Sequence, residues 1–176
     1  NFNLDLEHDF NYLLMAQWSE RKNIENTIKW FVEENIDQEV GLVIKTNSQA
    51  NCKIDQEFTL EKRLKPFLKK YEDRKCKIYL LHGDLSEQQL TSLYNHPKIK
   101  CMVSLAHGEG FGLPLFEAAY NGVPIIAPGW SGQCDFLYAN IAGPGGGKTK
   151  TRALFHEVDY DIAPVQKSSL WEGVIQ

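Results

Sequence analysis

Five short, nearly continuous apolar runs punctuate the chain, at residues 12–18 (YLLMAQW), 40–46 (VGLVIKT), 77–83 (KIYLLHG), 99–106 (IKCMVSLA) and 123–128 (VPIIAP). They lack the strict polar–apolar alternation of a strand with one wet face, so both faces are expected to be covered, as in a parallel sheet between helices. The segments between them supply the helices. Ile24, Ile28, Phe31, Val32 and Ile36 fall on one helical stripe, and Leu60, Leu64, Phe67, Leu68 and Tyr71 on a second. Leu90, Leu93 and Tyr94 make a shorter third stripe, opened by a capping box of Ser86 and Gln89 and followed by Pro97. A fourth helix is expected in LPLFEAAYNG, with Pro114 in its first turn and Gly122 at its C-terminal cap. The pattern predicts an α/β fold, a Rossmann-like open parallel sheet with helices on both faces.

With 176 residues and 43% hydrophobic content, one domain with a core of ordinary size is the expectation, spanning residues 1–176. From residue 128 to 152 turn residues dominate, and an irregular loop is predicted there, with one short helix near Gln133 to Tyr138. VDYDIAPV at 158–165 reads as a last extended segment. The beginning at Asn1 and the ending in SLWEGVIQ suggest a domain excised from a longer protein.

Nineteen Lys and Arg against 23 Asp and Glu give a net charge of -4, which offers a nucleic-acid backbone no general attraction. No run approaches the length of a membrane span, and residues 1–10 carry no secretory leader pattern, so a cytoplasmic location is expected. Cys52, Cys76, Cys101 and Cys134 lie far apart without a C-x-x-C pair and read as buried thiols; no metal cluster is visible. The basic stretch KRLKPFLKKYEDRKCK is read as the solvated face of the second helix, so peripheral membrane contact is not indicated.

In an open parallel sheet, ligands sit beyond the carboxyl ends of the strands. Arg21 and Lys22 follow the first strand, and HGEGFGLPLFE follows the fourth and runs into a helix. Gly108, Gly110 and Gly112 let backbone amides approach a ligand, and the helix start aims its unpaired N–H groups at the same place, which suits a diphosphate. Glu109 and Glu117, eight positions apart, repel phosphate but accept hydrogen bonds from hydroxyls. A nucleoside diphosphate carrying a sugar reconciles the two. His82 reads as a hydrogen-bonded structural histidine, whereas His107 is open between structure and ligand contact. Trp130 either lines the cleft or anchors its loop to the core. AGPGGGKT lacks the first glycine of a P-loop, because Ala142 stands there, and is read as surface loop. The spacing of Gly108, Gly110 and Gly112 also fails the dinucleotide fingerprint of an oxidoreductase.

The segment HGEGFGLPLFEAAYNGVPIIA resembles the E-x(7)-E signature of the family 4 retaining glycosyltransferases, in the C-terminal, donor-binding half of a GT-B enzyme. The likeness extends upstream through RKNIENTIKWF, VGLVIK and LLHGDLSEQQLTSLY, and fades beyond residue 140. The resemblance implies a metal-independent, hexosyltransferase-like enzyme without a cofactor, moving a sugar from a nucleoside diphosphate sugar to an unknown acceptor with retention. It places Glu109 on donor-sugar hydroxyls, Glu117 on the ribose, the loop of Gly110, Phe111, Gly112 and Leu113 on sugar and pyrophosphate, and Lys22 on the diphosphate, with Arg21 nearby. Glu109 and Lys22 are thereby the catalytic pair. The family's usual arginine five residues before that lysine is replaced here by Gln17, which carries no charge but can still donate hydrogen bonds and is counted among the expected substrate-binding residues. The resemblance also implies an acceptor-binding N-terminal domain absent from this chain; a non-catalytic nucleotide-sugar-binding module is the alternative.

Overall fold

The computed structural model describes residues 4–143 and 147–164; the closing SLWEGVIQ lies outside them. Its strands are β1 (Asn11–Met15), β2 (Gly41–Thr46), β3 (Lys77–His82), β4 (Ile99–Val103), β5 (Ile125–Pro128), β6 (Tyr138–Gly143), β7 (Gly147–Ala153) and β8 (His156–Val158). Six of them form one all-parallel sheet in the order β3-β2-β1-β4-β5-β8, so the direction of progression reverses between β1 and β4. The carboxyl edge at such a reversal point is where open α/β sheets take their ligands.

The continuous apolar runs are explained by two cores. On one face α1 (Ile24–Glu34) and, after β2, the turn that follows α2 (Lys53–Phe58) together with α3 (Lys65–Leu68) pack over Leu14, Leu42 and Ile44. On the other, α4 (Glu87–Tyr94), α5 (Leu113–Tyr120) and α6 (Cys134–Leu137) cover Leu13, Val43, Met102, Ile125 and Ala127. Adjacent residues of β1 and β2 thus enter opposite cores, as alternation of side chains along a strand requires. The capping box at α4 is formed: Gln89 N donates to Ser86 Oγ, and Ser86 N donates to the Gln89 side chain.

Three boundaries depart from the sequence pattern. Ile36 lies beyond the end of α1 and is exposed. The second helix begins earlier than the apolar stripe predicts, at α2, and passes through a π-helical turn (Thr59–Leu64) before resuming in α3. Pro66 is the cause we assign: it cannot donate to the fourth residue back, its ring crowds that carbonyl, and a wider turn relieves both.

The third departure is larger. Where turn residues predict an irregular loop over 128–152, β6 and β7 pair antiparallel, from Tyr138 opposite Ala153 to Ile141 opposite Lys150. Branched Ile141, Thr149 and Thr151 suit such a ribbon. Residues 144–146 of the glycine-rich stretch lie outside the described residues, while its flanks, read from sequence as surface loop, belong to these strands. The expected short helix is α6. The extended segment expected at 158–165 is strand only at Val158: β8 spans His156–Val158, and residues 159–164 form no strand.

Candidate functional site

Arg21 and Lys22 sit in a single helical turn (Glu20–Lys22) between β1 and α1. Asn23 closes that turn in the left-handed region, φ 54°, which asparagine tolerates better than most residues. Its Nδ2 donates to Leu105 O at 3.0 Å, and His107 N donates to Arg21 O at 2.8 Å, so the loops after β1 and β4 are tied together. Arg21 Nη1 adds a bond to Gly108 O.

The result is a close ion pair. Lys22 Nζ lies 2.6 Å from each carboxylate oxygen of Glu109, and Arg21 Nη1 lies 3.6 Å from Oε2. The Lys22 and Glu109 side chains are only 13% and 10% exposed, whereas Arg21 is largely open to solvent. Ser131, from the loop after β5, fixes the Glu109 backbone: its Oγ accepts from Glu109 N at 2.8 Å and donates to Glu109 O at 2.6 Å. Gly132 N also donates to Glu109 O, at 3.1 Å. A Cβ on Gly132 would stand 1.9 Å from Gly110 O, so only glycine permits this approach of the two loops.

Gly112 caps α5 at φ +85°, and both Leu115 N and Phe116 N donate to its carbonyl. Among the described residues, the N–H groups of Phe111, Gly112 and Leu113 have no hydrogen-bond acceptor. Free amides at a helix start favour an anion. The Phe111 ring turns to Phe116 and Phe136, with centroids 5.5 and 5.0 Å away, and Leu113 is exposed.

Glu117, one turn into α5, accepts from Tyr94 Oη at 2.9 Å through Oε2. Burial, and then the Glu117 carboxylate, push the Tyr94 phenol far above its ordinary range, so it stays a donor. From sequence Tyr94 is legible only as a core residue of α4; nothing in its spacing to Glu117 signals the bond. Ser131 is equally hidden, because its partner is 22 residues away.

The remaining candidates fall elsewhere. Gln17 is exposed and donates to Ser48 O at 3.3 Å, in the loop after β2. His107 is exposed. His82 is structural: Nε2 lies 2.8 Å from Asp55 Oδ2, with both side chains buried. Of the cysteines, Cys76 and Cys101 are buried as expected, but Cys52 is exposed and Cys134 only partly covered, because both lie in loop-to-helix junctions rather than in apolar strands. Among the described residues no group of three His, Cys, Asp or Glu side chains could hold a metal ion, and no helix is long and apolar enough to cross a membrane. An apolar groove of about 600 Å³, lined by residues including Cys101, Ile125, Leu154 and His156, lies toward the amino ends of β5 and β8, away from the carboxyl edge.

A doubly wound sheet with this loop at its reversal point is the architecture of one half of a GT-B glycosyltransferase. The chain belongs to the glycosyl transferases group 1 family, whose sequence profile matches residues 3–144. Solved structures share the fold at low identity. A UDP-forming α,α-trehalose-phosphate synthase from Burkholderia xenovorans aligns with TM-score 0.58 and 14% identity, over 75% of this chain and 32% of that one. The lipopolysaccharide outer core galactosyltransferase WaaB gives TM-score 0.51 and 12% identity, over 71% and 32%. An E. coli trehalose-6-phosphate structure bound with UDP-2-fluoro glucose gives 0.50 and 13%, over 75% and 32%. The chain thus spans about a third of the length of these three proteins. No curated protein matches it in sequence at a significant level.

Proposed function

We propose that this chain is the donor-binding half of a retaining, family 4 glycosyltransferase that moves a sugar from a nucleoside diphosphate sugar to an acceptor. The observation that carries the reading is the convergence of Lys22, Glu109 and the unbonded amides of Phe111, Gly112 and Leu113 at one sheet edge. The amides and the Lys22 ammonium receive the diphosphate, and the same charges stabilise the leaving nucleotide as the glycosidic bond breaks. No resident cation or cofactor is needed for that role. Glu109 accepts from donor-sugar hydroxyls, and Glu117, oriented by Tyr94, accepts from the ribose. Arg21 supplies further positive charge, whereas Gln17 contributes none. The acceptor is held by a second domain.

A second reading, a non-catalytic nucleotide-sugar-binding module, is favoured by two observations: Lys22 is paired with both carboxylate oxygens of Glu109, and the position of Gln17 adds no charge. Thermal denaturation with a panel of nucleoside diphosphates and their sugar conjugates tests the shared part of both. A ligand at 100 times its dissociation constant should stabilise the fold by about 2.7 kcal/mol; no shift at millimolar concentration overturns the site. Kinetics on the full-length protein separate the two. Lys22→Ala should lower turnover more than donor affinity. Binding of the conjugate without transfer or hydrolysis favours the module.

A further inference from the structure

We propose that the indole of Trp130, backed by Tyr160, is a stacking platform for a pyranose ring beside Glu109; this rests on the sugar-transfer reading above. Trp130 precedes Ser131, whose hydroxyl bonds both Glu109 N and Glu109 O, so the chain beside the indole is tied to the Glu109 backbone. Its Cη2 and Cζ2 atoms lie 3.8 Å from where a Cβ on Gly108 would stand. A Cβ on Gly110 would meet nothing within 4 Å, which leaves room in front of the loop.

The ring does not serve as a core anchor. Trp18 shows what an anchored indole looks like in this fold: it is 6% exposed, and its Nε1 donates to Glu25 Oε1 at 3.3 Å. Trp130 is 37% exposed, and among the described residues its Nε1 has no hydrogen-bond partner. Instead it stacks on Tyr160, itself exposed, with centroids 6.0 Å apart and planes at 26°. An aromatic face carries negative quadrupole density and attracts the weakly positive C–H face of a sugar, while the ring hydroxyls remain free for a carboxylate. Stacking on Tyr160 fixes the indole before a ligand arrives, which lowers the ordering cost of binding.

Saturation-transfer NMR on this chain tests the platform, using UDP-glucose, GDP-mannose, methyl α-glucoside and methyl α-mannoside as probes. Transfer to pyranose protons should fall about threefold or more in Trp130→Ala and be largely kept in Trp130→Phe, with the amide spectrum confirming that both fold. Loss confined to the nucleotide conjugates assigns the platform to the donor sugar; loss with the methyl glycosides assigns it to an acceptor sugar. Unchanged pyranose signals in Trp130→Ala, or loss confined to base protons, overturns the proposal. Wild-type transfer to base and ribose protons but none to any pyranose also overturns it and leaves the nucleotide reading standing. No transfer to any probe removes both.

Discussion

Lys22 Nζ touches both carboxylate oxygens of Glu109, so the cation proposed for the diphosphate is neutralised by the acid proposed for the sugar. The pair is only slightly exposed, and its Coulomb attraction is correspondingly stronger than that of a surface bridge. Glu109→Gln removes the negative charge and frees Lys22 and Arg21. Affinity for a bare nucleoside diphosphate should therefore rise by about three- to tenfold, while the added affinity contributed by the sugar should shrink. Calorimetry with the nucleotide and with its conjugate checks both effects.

Glu117 and Tyr94 make a separate prediction. Glu117→Gln should weaken ribonucleotide binding by roughly 1.5 to 3 kcal/mol, the range of a charge-assisted hydrogen bond. Tyr94→Phe leaves the carboxylate but frees its orientation, so the preference for ribo- over 2′-deoxyribonucleotides should shrink, with a stability loss of about 1 kcal/mol. A merely structural Tyr94 would lower the melting temperature without changing that preference.

Asp55 links pH to stability. Burial opposes its charge, but bonds from His82, Ser48 N and Gln49 N outweigh burial and hold the carboxyl below its ordinary value. A group depressed in the folded state stabilises above its unfolded pKa, about 3.9, and that contribution disappears as pH falls through the lower folded value. Asp55→Asn should cost roughly 1 to 3 kcal/mol near neutral pH, and its stability gap to wild type should narrow below about pH 4. Denaturant titrations across that range measure the gap.

The thiols should separate by reactivity. Cys52 is exposed, whereas burial pushes Cys101 up to about 11 and raises Cys76. Alkylation at neutral pH followed by mass spectrometry should mark Cys52 first and Cys101 only on unfolding.

Much of this architecture is legible in the sequence because its signals are local. The apolar runs of β1 to β5, the Ser86 capping box and the glycines before α5 each act over a few residues. The hairpin of β6 and β7 is not, because GWSGQCDF and GPGGG make the entire stretch read as turns. Glu109 and Lys22 stand out as candidates from their motifs, yet their direct contact depends on the pairing of β1 with β4, which joins residues 87 apart in sequence. Ser131 and Tyr94 likewise act through partners outside their own elements.

An amide NMR titration of this chain with UDP and GDP locates the bound nucleotide residue by residue. The largest shifts should fall on Phe111, Gly112 and Leu113, with Lys22 and Glu109 following, while Leu154 and His156 in the apolar groove stay still. Saturable shifts centred on the groove, or a helix start at α5 that does not respond, would contradict this site.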